Sequence, residues 1–290
     1  MTLNTHSYTS RGLELAYHEW GNPDGPPVIL LHGFLDQGRS FRFLGPELTE
    51  RYRLIAPDHR GHGRSSHMGA GATYYFPDYI LDLDALLTHL NLECPFIAGH
   101  SMGASIGLYF AGAFPERVRA LLLLDGIGPS AEQPDKSAKR MRDWVRAVRR
   151  TEKASSGGLS SLDDVADRIA RMSPRASRDR LLLIAEDAAW QGEDGRFRFR
   201  HDSVHRVPSA RHFDVQRFEA FLAAVACPVL MVWGEYTPFK PPDTDRRVGL
   251  LKDVASVPVR GAGHNLHHEA PEALTKVMAS FLDQELERSV

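Results

Sequence analysis

Near-continuous apolar runs recur along the chain at residues 28–31, 53–56, 95–98, 120–124, 228–233 and 254–259. A strand covered by helices on both faces reads this way, because neither face meets water. Two shorter strands precede them. The clearer spans 13–20, alternates apolar and polar positions, and ends in the turn Gly21-Asn22-Pro23-Asp24-Gly25. Between the runs lie patterns of helical period. Residues 78–90 are apolar at Tyr79, Ile80, Leu83, Leu86, Leu87 and Leu90, and a second such stretch covers 270–286. Strands alternating with amphipathic helices predict an α/β fold with a mostly parallel sheet.

The interval 129–226 breaks this rhythm. It reads as helices over 140–150, 161–172, 178–190 and 215–225, the second opened by a Ser161 cap. The stretch Ala154-Ser155-Ser156-Gly157-Gly158 reads as a flexible linker. A helical cap inserted after the sixth strand is therefore expected, with the core formed by 1–128 and 227–290. The dense arginines of 139–150 read as a solvated helix face.

Composition adds bounds. The chain has 290 residues, 42% of them hydrophobic, enough for one large domain carrying an insertion. Its 35 Lys and Arg nearly balance 37 Asp and Glu, so no global field recruits nucleic acid or an anionic membrane. The stretch Met1–Tyr8 lacks the basic and apolar pattern of a signal peptide, and no apolar run approaches about 20 residues. Cys94 and Cys227 each precede a proline at the start of an expected strand. With one strand between them they stand about 10 Å apart, too far for a disulfide. Free thiols and a cytoplasmic address are the expectation, with a monomer or homodimer acting on a small molecule.

The candidate chemistry starts at Gly99-His100-Ser101-Met102-Gly103, between an apolar run and a helical stretch. A serine in a tight strand–turn–helix context presents its oxygen at the sheet edge, and the two glycines permit close approach of the returning helix. Three further segments follow expected strands: His32-Gly33-Phe34, the loop from Asp58 to Ser65, and Gly261-Ala262-Gly263-His264. Together these four resemble the α/β-hydrolase family over nearly the whole chain, most closely the serine hydrolase-like proteins and their bacterial relatives. That resemblance implies an eight-stranded sheet, Ser101 as nucleophile and His264 as its base. It also implies backbone N–H groups of Phe34 and Met102 as the oxyanion hole. His267 and His268 compete for the base's role but read as rim residues, and His100 reads as a packing or orienting residue.

The acid departs from the family's common pattern. Most members place an aspartate where this chain has Thr237, in Gly234-Glu235-Tyr236-Thr237. Asp125, emerging after Leu121–Leu124, is the candidate instead, one strand away; some related haloalkane dehalogenases carry their acid there. Glu235 and Asp243 are the alternatives. The Asp58–Ser65 loop reads as architectural, with Asp58, Arg60 and Ser65 tying one turn together, and Asp36 as satisfying nearby backbone. Trp144, Trp190, Phe197, Phe199 and Phe239 are candidate pocket walls. No nucleotide loop or zinc spacing is found, so no cofactor or metal is expected. The expected activity is serine hydrolysis of a carboxylic ester, thioester or amide of a small to medium hydrophobic substrate. Carbon–carbon bond hydrolysis or a lyase reaction by the same residues is the second reading, and a non-catalytic ligand receptor the third.

Overall fold

In the computed structural model, which describes residues 3–131, 133–153 and 157–288, eight strands form one sheet. They are β1 (Asn4–Ser10), β2 (Leu13–Gly21), β3 (Pro27–Leu31), β4 (Arg53–Pro57), β5 (Phe96–His100), β6 (Leu121–Leu124), β9 (Val229–Gly234) and β10 (Val254–Val259). A separate hairpin pairs β7 (Ala189–Gln191) with β8 (Phe197–Phe199). The order across the sheet is β1-β2-β4-β3-β5-β6-β9-β10. The pairs β1–β2 and β2–β4 are antiparallel and the rest parallel, so the expected mostly parallel eight-stranded sheet is present.

Side chains of the central strands divide between two apolar layers. Ile29 and Leu31 of β3, Ile97 of β5 and Leu121 and Leu123 of β6 join one layer. Their neighbours Val28, Leu30, Phe96, Ala98, Leu122 and Leu124 join the other. This is why those strands read as unbroken apolar runs: each face of a pleated strand meets a helix layer.

Ten helices accompany the strands among the described residues. They are α1 (Pro46–Thr49), α2 (Pro77–His89), α3 (Met102–Ala113), α4 (Ser137–Lys153), α5 (Leu162–Ala170), α6 (Arg178–Ala188), α7 (Val215–Ala224), α8 (Thr244–Val248), α9 (Leu266–Glu269) and α10 (Pro271–Glu287). The first layer is covered by α2 and α3, the second by α1 and α10.

The segment between β6 and β9 holds α4 to α7 and the hairpin. Val165, Ala166, Leu181, Ala185 and Ala189 form a small core of its own. The α7 helix behaves differently. Its Phe218 and Leu222 are buried in the sheet's first layer, so α7, expected in the inserted cap 129–226, packs on the core. The helix expected over 178–190 stops at Ala188, and Ala189–Gln191 turns into the hairpin. Phe197 and Phe199 alternate with arginines, a period-two pattern that pairs with this strand, and Gly195 at φ 73° makes the turn. Ser161 caps α5 as expected, accepting from the Asp164 N–H. Of the linker, Ala154-Ser155-Ser156 lies outside the described residues, as does Met1-Thr2.

Candidate active site

The site is assembled at the C-terminal edge of β5, β6 and β9. Ser101 stands between β5 and α3 at φ 52°, ψ −108°, a conformation that costs an L-residue energy and persists only where the surroundings impose it. Its N–H donates to the Leu124 carbonyl of the neighbouring strand at 2.9 Å. Tight packing completes the constraint. A Cβ at Gly99 would lie 2.3 Å from the Gly103 carbonyl, and one at Gly103 would lie 2.1 Å from the carbonyl of Leu31. The second glycine thus accommodates strand β3 rather than the returning helix.

The Ser101 hydroxyl donates to His264 Nε2 at 3.0 Å, and His264 Nδ1–H donates to Asp125 Oδ2 at 2.6 Å. Asp125 is buried and also sits at positive φ, 51°. Its Oδ1 accepts the Gly234 N–H at 2.9 Å and its Oδ2 the Thr237 hydroxyl at 2.5 Å. A buried carboxylate is costly unless its lone pairs are filled, and here three donors fill them. Thr237, standing where the family pattern has an aspartate, is one of those donors. Glu235 is exposed and accepts the Gly261 N–H, while Asp243 pairs with Arg246 and Arg247. Neither hydrogen-bonds to His264.

Phe34 lies on the loop after β3, and its N–H donates to no acceptor among the described residues. Met102 opens α3, where an N–H has no intrahelical acceptor. Buried histidines pin the loop around Phe34. His32 Nδ1–H donates to the Gly33 carbonyl at 2.7 Å, and its Nε2 accepts the His59 N–H at 2.9 Å. His62 Nε2 accepts the Leu35 N–H at 3.2 Å, and its Nδ1–H donates to the Arg60 carbonyl at 3.1 Å. A ring that both accepts and donates must be neutral. Burial, helped by mutual repulsion among the rings, pushes His32 and His62 well below the usual imidazole range. Leu35 itself sits at φ 60°.

Above these groups opens a cleft of about 2830 Å³, lined by Ser101, His264, Phe34, Met102 and residues of the β6–β9 segment. Trp144 and Phe199 line it, and the Phe239 ring lies 4.5 Å from that of His264. Trp190 and Phe197 do not. Trp190 is on the outer hairpin, 45% exposed, with Arg198 over its ring, and Phe197 packs on the insertion's small core.

Comparison with known proteins agrees with this fold. Residues 26–271 match the model of the alpha/beta hydrolase fold. The chain belongs to the alpha/beta hydrolase family. It is 28% identical to a serine hydrolase-like protein of Danio rerio, over 93% of this chain and 85% of that one. It is 32% identical to a 3-hydroxybutyrate-oligomer hydrolase of Cupriavidus necator, over 86% of each. A crystal structure of a hypothetical protein from Pseudomonas aeruginosa PAO1 superposes with a TM-score of 0.85 and 30% identity, covering 96% of this chain and 99% of that one.

In this hydrolase a layer of imidazoles lies beneath the candidate triad, and sequence spacing missed it. His267 and His268, expected at the rim, are buried, because the short helix α9 folds back under His264. His267 Nε2–H donates to Asp36 Oδ2 at 3.0 Å, and His268 Nδ1 shares a 2.9 Å hydrogen bond with the Ser173 hydroxyl. His100 Nε2–H donates to the backbone carbonyl of His264 at 2.9 Å, which fits the orienting role expected of it. Burial, with the neighbouring imidazoles, pushes His267 and His268 down to about 3 and His100 well below its usual value. Asp36, His100 and His267 bring possible ligand atoms within 4.8 Å of one another. His100 Nε2 and His267 Nε2 are already engaged as donors there. The Asp58–Ser65 loop is tied as read through Ser65 and Asp58, but Arg60 reaches away from it to Asp78 and Asp82 of α2.

No helix among the described residues is long and apolar enough to cross a membrane. Cys94 and Cys227 are free thiols, each two residues before a strand, β5 and β9, and β6 lies between those strands.

Proposed function

We propose that this hydrolase cleaves carboxylic esters through an acyl-enzyme on Ser101. The observation that carries the proposal is the unbroken chain Asp125–His264–Ser101 opening into a large cleft. Ser101 Oγ attacks the ester carbonyl carbon while its proton passes to His264 Nε2. Asp125 holds the Nδ1–H tautomer and stabilises the resulting imidazolium. The carbonyl oxygen becomes an oxyanion, for which the N–H groups of Phe34 and Met102 are the proposed donors, worth about 3 kcal/mol each. Collapse of the tetrahedral intermediate breaks the ester C–O bond, and His264 returns the proton to the leaving alkoxide. Water then attacks the acyl-serine with His264 again as base, releasing the acid and restoring Ser101.

An ester is favoured over an amide by likeness to the Cupriavidus protein, which is named for hydrolysing 3-hydroxybutyrate oligomers. Hydroxyacid oligomers are oligoesters, and an acyl-enzyme is the ordinary route for a serine–histidine pair. A fluorophosphonate probe is expected to label Ser101, and Ser101→Ala to abolish both labelling and p-nitrophenyl butyrate turnover. Undiminished turnover in that variant removes the proposal.

A further inference from the structure

The charge of the cleft differs from that of the chain. Over the whole sequence acidic residues slightly outnumber basic ones, 37 to 35. Among the described residues lining the cleft, seven are Arg or Lys and four are Asp. None of those four carboxylates answers the cations. Asp125 holds His264, Asp36 holds His267 and the Ser40 hydroxyl, Asp84 pairs with Arg117, and Asp214 accepts the N–H of Arg217 at the start of α7.

Two of the cations sit beside a segment tied to the loop of His264. Arg168 and Arg171 lie three residues apart at the end of α5, so they share one helix face. Both are exposed and both line the cleft. Neither forms an ion pair with a carboxylate among the described residues. The C-terminal end of a helix favours positive charge, which explains a cation in the last turn. It does not explain two like charges side by side lining the cleft. The next residue, Met172, is tied to the loop of the proposed base: Asn265, adjacent to His264, donates to the Met172 carbonyl at 2.9 Å and to the Ser173 hydroxyl at 2.8 Å.

We infer that Arg168 and Arg171 bind an anionic group carried by the alcohol half of the ester. This rests on the acyl-enzyme reading above. There His264 must hand its proton to the departing oxygen, so the leaving alcohol occupies the His264 side of the cleft. That is the side on which the end of α5 is fastened. An alcohol bearing a carboxylate or a phosphate then meets the two guanidiniums, whose planar forks suit both anions. The product of the first step is a hydroxyacid or a hydroxyalkyl phosphate, and the acyl half carries no charge requirement.

The test compares three butyryl esters with one glutaryl ester. Butyryl glycolate carries its carboxylate on the alcohol, its methyl ester is the neutral counterpart, and 2-butyryloxyethyl phosphate substitutes a phosphate. Monoethyl glutarate places the carboxylate on the acyl half instead. Arg168→Gln/Arg171→Gln is expected to lower kcat/KM for butyryl glycolate at least tenfold, through KM. Methyl ester and p-nitrophenyl butyrate turnover should stay within twofold of wild type. The preference for the charged ester in wild type should also shrink as salt rises from about 0.05 to 0.5 M. Loss with the phosphate ester and not butyryl glycolate makes phosphate the ligand; loss with both leaves the anion class unchanged. The inference is overturned if each charged ester falls together with the neutral methyl ester, if neither butyryl glycolate nor the phosphate ester falls, or if only monoethyl glutarate falls. It is equally overturned if Arg211→Gln/Arg217→Gln, in another part of the cleft lining, carries the loss instead. Wild-type hydrolysis of p-nitrophenyl butyrate, with charged-ester kinetics unchanged in Arg168→Gln/Arg171→Gln, refutes this inference alone. One that hydrolyses none of the esters refutes the acyl-enzyme reading beneath it.

Discussion

The two sides of the cleft are held in opposite ways. On the sheet side Asp125, His100, His267 and His268 are buried and hydrogen-bonded, and Ser101 is locked in a strained turn by backbone contacts. On the insertion side Arg168, Arg171, Arg211 and Arg217 are exposed, and the local core is a handful of small and medium apolar residues. Under the proposed function the difference separates two tasks. Charge development at a reacting centre needs dipoles that do not reorganise, which only a packed interior supplies. Choosing among substrates needs side chains whose replacement leaves the fold intact, and a surface insertion supplies those.

Substitutions can sharpen or break this division. The largest effect is expected at Asp125→Asn, which keeps the shape but disfavours the Nδ1–H tautomer of His264. A fall in kcat of about 10⁴ is expected by analogy with other serine triads, against less than threefold for Asp243→Asn. Steady-state kinetics on p-nitrophenyl butyrate decides this, and the reverse order reassigns the acid.

Acid should next unfold the sheet side. His59 is pushed by burial to about 4, His267 and His268 to about 3, and His32, His62 and His100 well below normal. The unfolded chain takes up protons on these rings near pH 6.5, whereas the folded chain does not. Stability therefore falls as pH drops from about 6.5 towards 4, by about 1.4 kcal/mol per pH unit for each such ring. Thermal melts between pH 7 and 4.5 check the slope. A flat Tm over that range contradicts the neutral, buried imidazoles.

Thr237→Val removes one donor from Asp125 while leaving the Gly234 N–H and His264 in place. A drop of about tenfold in kcat is expected, with little change in KM, since one hydrogen bond to a charged group is worth about 1.5 kcal/mol or more. The smallest effects belong to the aromatic residues of the insertion. Trp144→Ala should raise KM a few-fold without altering kcat, and Trp190→Ala, out on the hairpin, should alter neither. Equal effects of the two would mean that the cleft wall is misdrawn.

Much of the architecture was legible because burial leaves a period in the sequence. Leu121–Leu124 reads as a strand covered on both faces, and its alternating side chains do enter two different apolar layers. Gly99-His100-Ser101-Met102-Gly103 is readable because a strained turn admits few residue types. The hairpin of Ala189–Gln191 was not legible, since three residues after a helix carry too little pattern to distinguish pairing from a further turn. Nor were the positions of His267 and His268. Nothing in a histidine's neighbours along the chain states whether a short helix will fold it under the site or leave it at the rim.

By itself, then, the order of residues determined the sheet, the serine turn and the histidine after the last strand, because backbone geometry and apolar burial act over a few neighbouring positions. Tertiary structure alone decided which polar atoms meet. Asp125, Thr237 and His264 come from three separate loops. Whether three such groups fall within hydrogen-bond distance depends on how strands far apart in the chain lie side by side. Hydrogen bonds act over about 3 Å, and no local pattern encodes a distance that short across so many residues.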